Sequence, residues 1–311
     1  MRYLNRLCLI LTICLMSLPL RADVVKETWD WVGQCKKIHA DFKGVSGTVC
    51  HFGDSITYCN GYARWPRYGQ GMKPSDKEVV KWMHVQSQVP HAPADHASNF
   101  KAILEAWKND GFFIAAVDRP DNGSFTAQSG ITTEQYLAGT YNLPPVEDML
   151  NNYYPDIVIL MLGTNDASHN RPVAAFSKDL EAIVMHILWK DGKQSKTFRG
   201  TIPVLSTIPP KKDDMQDVEA YNRAIVLLAT KYQLPLIDYC GEILSRHPND
   251  WLGTLIDLDG IHPTFGDASA DPYANGGENL KKSGYLLRGF LTVQKVKEIM
   301  TKVMGMTLPT N

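Results

Sequence analysis

What this 311-residue sequence lacks removes several classes of function at once. There is no G-x-x-x-x-G-K-[S/T] and no G-x-G-x-x-G, so nucleotide and dinucleotide binding have no motif to rest on. There is no G-x-S-x-G, which argues against the α/β-hydrolase arrangement of a nucleophilic serine. The six cysteines form no C-x-x-C pair and no Cys/His finger spacing, so a zinc module is not expected. His84, His91 and His96 have a spacing and loop setting that match no ligand pattern and read as surface histidines. No metal and no cofactor is therefore predicted. The chain shows no internal repeat, no low-complexity tract and no Ser/Gly- or Pro-rich linker, which leaves a single domain over residues 23–311. It also lacks an excess of basic charge, at 32 Lys+Arg against 33 Asp+Glu, and no basic amphipathic stretch suggests a membrane surface.

The 44% hydrophobic content is ample for a core and unlike that of a disordered chain. The first 22 residues read as an export signal: Arg2 and Arg6, then an apolar run from Leu7 to Leu18, then Pro19 to Ala22 with a small residue at the cleavage point. The run is shorter than the roughly 20 residues a membrane-spanning helix needs. Cys8 and Cys14 lack the preceding small residues of a lipidated cysteine. Cleavage removes three arginines, no lysine and no acid, leaving 289 residues with 29 basic and 33 acidic side chains, a formal charge of −4. Nucleic acid is excluded as a partner on that balance, and no stable membrane association is expected after cleavage. The expected location is periplasmic or extracellular. Cys35, Cys50, Cys59 and Cys240 remain, with three complete disulfide pairings open to them.

Five short apolar runs alternate with helical patterns. The runs are Val45–Phe52, Phe112–Val117, Ile157–Leu162, Ile202–Leu205 and Leu234–Ile237. Helical spacing occupies 24–39, 98–109, 173–190, 216–232 and 280–303. Buried strands alternating with helices predict βαβ units and a parallel sheet of about five strands, with ligands at the strands' carboxyl ends. Residues 58–98 have little periodicity and read as a long surface excursion.

Three polar clusters carry the chemistry. Gly53-Asp54-Ser55-Ile56-Thr57 follows the first run directly, so the Ser55 hydroxyl points out of the sheet edge where a following helix offers unpaired N–H groups. Taken alone, a serine at a strand–helix junction is usually just a helix cap. Gly163-Thr164-Asn165-Asp166 follows the third run, and Asn165 offers side-chain N–H donors to an oxyanion; alone it is a turn. Asp259-Gly260-Ile261-His262-Pro263 supplies an imidazole and, three residues before it, a carboxylate able to orient it.

Together the three clusters, in this order and over essentially the whole exported chain, resemble the SGNH hydrolases, also called the GDSL family. Ile56 stands where that family's name has Leu. The resemblance implies a three-layer α/β/α, flavodoxin-like doubly wound parallel sheet. It implies Ser55 as nucleophile, His262 as its base and Asp259 as the partner of His262. It also implies an oxyanion hole from the N–H of Ser55, the N–H of a glycine in a second block and the side chain of Asn165. Gly130, in Ser129-Gly130-Ile131-Thr132-Thr133, is the chosen glycine, with Gly123 its rival. Asp257 is a backup partner for His262. Asp54 and Asp166 are read as structural neighbours of the site rather than as a glycosidase carboxylate pair. Tyr58, Tyr62, Trp65 and Trp251 are candidates for a sugar groove.

The reaction implied is hydrolysis of O-acyl, most simply O-acetyl, esters of carbohydrates, the substrate being a small molecule or a polysaccharide. The alternatives are a lipid-directed esterase (lysophospholipase or thioesterase) and a non-catalytic glycan-binding protein.

Overall fold

In the computed structural model, residues 23–59, 61–83, 126–140, 143–188 and 200–310 are described. The export signal, the run Phe112–Val117, the helical stretch 98–109 and the three histidines at 84, 91 and 96 lie outside them.

The other apolar runs become parallel strands. β1 (Val45–Gly53), β2 (Pro155–Met161), β3 (Ile202–Ser206) and β4 (Leu236–Ile237) form one sheet in the order β1-β2-β3-β4. All three pairings are parallel. Every residue of β2 and β3 is buried, as a strand covered on both faces requires. Pro203 is accommodated inside β3 by register. Leu205 directs its N–H towards β4, to the Pro235 carbonyl, and Pro203 has the same orientation but lies beyond the two residues of β3 that β4 pairs.

Parallel neighbours need helical crossovers. The helices are α1 (Trp31–His39), α2 (Ser55–Tyr58), α3 (Arg64–Tyr68), α4 (Pro74–Met83), α5 (Thr133–Ala138), α6 (Val146–Tyr153), α7 (Thr164–Ser168), α8 (Val173–Ile187), α9 (Met215–Tyr232), α10 (Tyr239–Arg246) and α11 (Gly284–Lys302). Helices α5, α6 and α9 pack on α8, while α3, α4 and α10 pack on α11. One apolar cluster runs through these layers from Trp31 to Val303.

Two boundaries differ from the sequence expectation. The helix expected over 24–39 begins at Trp31. Asp30 caps it by accepting from the Gly33 N–H, and the preceding segment is tied to β4 instead. There the Val25 N–H donates to Asp238, and Glu27 accepts from the Leu236 N–H. The last helix begins at Gly284, because the Ser283 hydroxyl accepts from the Leu286 N–H and stops the helix from extending back to 280.

The feature that positions the site is a reversal at the end of β1. Gly53 registers with Met161 of β2 on one side. Its own N–H and C=O both turn the other way, to the Thr126 carbonyl and the Gln128 N–H. The chain therefore leaves β1, touches its outer edge at 126–128, and returns on the opposite side as β2. Reversals of this kind open a crevice at the carboxyl ends of parallel strands. The approach around Gly53 is close: a Cβ there would lie 2.1 Å from Thr57 Oγ1 and 2.9 Å from the Met161 carbonyl oxygen.

Gly53→Ala is expected to destabilise the fold by about 1–3 kcal/mol through overpacking, read as a lower urea midpoint with an unchanged slope.

Candidate active site

Ser55 is the first residue of α2, and its position follows from the two residues before it. Gly53 permits the close turn, and the Asp54 carboxylate accepts from the Ile56 N–H at 3.0 Å, capping the helix. The Ser55 hydroxyl then lies 2.9 Å from His262 Nε2.

His262 reaches that position from a loop that fixes its own ring. One oxygen of Asp259 accepts from the N–H groups of Ile261 and His262 at 2.8 and 2.9 Å, and the other lies 2.6 Å from His262 Nδ1. Gly260 makes this turn with φ +76°, and the Lys212 N–H bonds its carbonyl at 2.9 Å. A carboxylate at Nδ1 places the ring proton there and leaves Nε2 free to accept from Ser55. Partial burial pushes the Asp259 carboxyl up. The N–H groups of Ile261 and His262, and then the ring, outweigh that and hold it below its ordinary value. Asp257, the backup partner, does not face the ring: its carboxylate accepts from the Leu258 N–H at 2.6 Å, and its own N–H donates to the His262 carbonyl at 2.7 Å.

Asn165 lies in the first turn of α7. Its side-chain amide donates to the Ile131 carbonyl at 3.0 Å and, on a long contact of 3.4 Å, to Asp54. Gly130 is the exposed corner between two anchored points: Gln128 bonds Gly53, and Ile131 bonds Asn165. Its φ of +76° favours glycine, while a Cβ there would meet nothing. Gly123 lies outside the described residues. Asp166 is a strut: it accepts from the N–H and hydroxyl of Thr133 and pairs with Arg171, joining α5 to α7. The structure thus brings Ser55, His262, Asp259 and Asn165 together, with Gly130 on the adjoining turn.

The proposed sugar groove does not form as read. Trp65 and Tyr62 are in the core at 0% and 2% exposure, and only Tyr58 and Trp251 reach the surface in part. Trp65 is drawn inwards because α3 packs on α11, where it meets Phe290 edge-on, and Tyr62, which precedes α3, is drawn in by Arg288 and Thr292 of α11. Leu258 and Phe265, which flank the histidine in sequence, are instead exposed. Arg288, absent from the sequence reading, is buried beneath the serine turn. It donates to the Ile56 carbonyl at 2.7 Å and to the Thr57 hydroxyl at 2.6 Å. An arginine inside Tyr285-Leu-Leu-Arg288-Gly-Phe-Leu, an otherwise apolar run, was the available signal.

Cys35, Cys50 and Cys240 are buried and Cys59 half-buried; none of the four is in a disulfide. Among the described residues there is no group of three or more His, Cys, Asp and Glu placed to hold a metal. No described helix is long and apolar enough to cross a membrane.

A family model described as the GDSL-like Lipase/Acylhydrolase family matches residues 92–265, more than half of the chain. That range holds Gly130, Asn165, Asp259 and His262, while Ser55 precedes it. Solved structures similar to the chain include the lipase/acylhydrolase from Enterococcus faecalis, at 20% identity and TM-score 0.43, covering 80% of this chain and 94% of that one. A catalytic mutant of the acetylxylan esterase Axe2 from Geobacillus stearothermophilus is similar at 15% identity and TM-score 0.45, covering 82% and 96%. TesA is similar at 18% identity and TM-score 0.38, covering 75% and 94%. No curated protein sequence matches.

Burial pushes the Asp54 carboxyl up to about 6, against the pull of the Ile56 N–H, Arg288 and His262. Between its ordinary 3.8 and about 6, the folded chain holds a proton that the unfolded chain releases. Its contribution to stability is therefore present below about pH 4 and lost as pH rises through about 6. Wild type should therefore lose stability relative to Asp54→Asn as pH rises across this window, by an amount on the order of 1–3 kcal/mol, measured by urea unfolding at several pH values.

Proposed function

The chain belongs to the GDSL-like lipase/acylhydrolase family, and on that premise we propose that it is an exported serine esterase acting on O-acyl, most simply O-acetyl, esters of carbohydrates. The single observation that carries the catalytic part is the chain of contacts from Ser55 Oγ to His262 Nε2 at 2.9 Å and from His262 Nδ1 to Asp259 at 2.6 Å.

In this reading Ser55 attacks the ester carbonyl while His262 takes its proton. Asp259 holds the ring in the required tautomer and stabilises the imidazolium. The oxyanion is received by the N–H of Ser55, the N–H of Gly130 and the side-chain amide of Asn165. The second amide hydrogen of Asn165, on the 3.4 Å contact with Asp54, turns to the oxyanion with little to give up. The imidazolium then protonates the leaving alcohol. Water, deprotonated by the same histidine, attacks the acyl-enzyme and frees the acid.

The carbohydrate reading is supported by the openness of the pair: the His262 and Asp259 side chains are 40% and 48% exposed, which suits a bulky polar alcohol more than an enclosed acyl channel. Export, expected from residues 1–22, places the reaction outside the cytoplasm, where polymer substrates are met. The exposed Leu258 and Phe265 on the histidine loop favour a second reading, hydrolysis of longer-chain lipid esters.

Acetylated xylan, p-nitrophenyl acetate and p-nitrophenyl octanoate distinguish the two. The carbohydrate reading expects acetate release from xylan and acetate over octanoate; the reverse order supports the lipid reading. Ser55→Ala should lose nearly all activity and all labelling by a fluorophosphonate. Asn165→Ala should lower kcat by about 10²–10³. Hydrolysis by Ser55→Ala would overturn the assignment of the nucleophile, and a folded wild type that takes no label would point to a glycan-binding protein.

A further inference from the structure

Arg288 is a buried charge that the proposed reaction leaves without a task. It lies in α11, far from Ser55 in sequence, and its side chain crosses to the serine turn at 2% exposure. Its fork takes two adjacent residues at once: one nitrogen donates to the Ile56 carbonyl at 2.7 Å and the other to the Thr57 hydroxyl at 2.6 Å. The Tyr62 ring lies 3.8 Å from the guanidinium carbon. The Tyr62 hydroxyl is held in turn by His51 Nδ1 at 3.0 Å and the Thr292 hydroxyl at 2.8 Å.

The helix that presents Ser55 has four residues, too few to hold itself by helical cooperativity. External contacts must fix it, and they converge on Ile56. Asp54 grips the Ile56 N–H and Arg288 grips the Ile56 carbonyl. A desolvated guanidinium persists only where its surroundings compensate it; here the Ile56 carbonyl, the Thr57 hydroxyl and the Tyr62 ring do so by contact, and the Asp54 carboxylate acts at longer range. Removing the fork frees the Ile56–Thr57 peptide and leaves the turn held at Ile56 only through its N–H.

We propose that Arg288 is a positioning residue for ester hydrolysis, locking the one-turn helix so that the Ser55 hydroxyl and N–H face the carbonyl together. The proposal rests on the reading of Ser55 as nucleophile. The guanidinium lies against the Tyr62 ring and within electrostatic reach of Asp54, His51, Tyr239 and Tyr285, and Asp54 is within reach of His262. Burial, and then Arg288, hold His51 well below its ordinary range, and burial raises the three tyrosines. Asp54 is therefore the neighbour of Arg288 that responds to its loss in mild acid. Without the cation, Asp54 protonates at higher pH and weakens its grip on Ile56.

The test compares Arg288→Met, Arg288→Lys and Thr57→Val with wild type and Ser55→Ala, as full chains, on p-nitrophenyl acetate across pH. Arg288→Met should lower kcat by about 10–100-fold with KM within about twofold, since misplacement by about 1 Å costs up to about 10²-fold, and should move the acid limb of kcat to higher pH. Arg288→Lys keeps the charge without the fork, so its acid limb should stay at the wild-type position while kcat still falls. Thr57→Val, which removes one of the two acceptors, should show a smaller loss of kcat. A folded Arg288→Met with wild-type kcat and acid limb overturns the proposal. If Arg288→Met does not fold, wild-type kcat in both Arg288→Lys and Thr57→Val overturns it. Activity surviving in Ser55→Ala is a separate result, which removes the nucleophile assignment instead.

Discussion

The pairing of Gly53 on the outer edge of β1 is the contact on which the site depends. Its N–H and C=O are committed to residues 126–128, while its strand is held on the other side by β2. Two consequences follow at once. The chain must turn sharply at Asp54, which starts a helix at Ser55, and the 126–131 segment is drawn against the same corner. Tyr136 and Thr126 reinforce this, the tyrosine hydroxyl donating to the Thr126 carbonyl and the Thr126 hydroxyl to the His51 carbonyl. The Ser55 turn, the Gly130 turn and Asn165 thereby meet at the carboxyl ends of the strands.

Around this corner the protein buries charges that each carry a cost. Asp54, Asp166 and Arg288 are at 0%, 0% and 2% exposure. None is isolated. Asp166 has Thr133 and Arg171, Asp54 has the Ile56 N–H and Asn165, and Arg288 has Ile56, Thr57 and the Tyr62 ring. Well-packed apolar groups would fill such space at lower cost. Polar side chains do something apolar ones cannot: each fixes a specific backbone group at a specific distance. A serine, a histidine and an amide from three distant parts of the chain require that kind of constraint, because catalysis tolerates little misplacement.

The histidine loop shows the same economy over a shorter span. Asp259, Ile261 and His262 form a closed set in which one carboxylate holds two N–H groups and the ring. The loop needs no distant residue to orient the imidazole; what distance must supply is only the docking of the loop against Ser55. Lys212, which follows β3, donates to Gly260, and Thr264 pairs with Leu255 and Tyr285, tying the loop to the body of the fold.

The alternation of apolar runs with helical patterns was sufficient to predict the parallel sheet, since backbone periodicity is a local property. The clusters holding Ser55 and Asn165 were legible as neighbours because each follows a strand whose end the topology places at one edge of the sheet; Asp259 and His262, on a loop far in sequence from any strand end, were joined to them by the family resemblance alone. Burial was not legible in the same way. Tyr62 and Trp65 read as candidates for a groove and are core, whereas Leu258 and Phe265, which no local pattern singled out, are exposed. The sequence could not place Arg288, because its partners lie more than 230 residues away and only the packing of α11 brings them within reach. The first helix began late for a related reason: Asp238 and Leu236, distant in sequence, claim the Val25 N–H and the Glu27 carboxylate. Local motifs by themselves determined which residues are candidates for the site: Ser55, Asn165, Asp259 and His262. Only the tertiary structure decided what holds them, since the supporting contacts run between segments whose proximity no local pattern encodes.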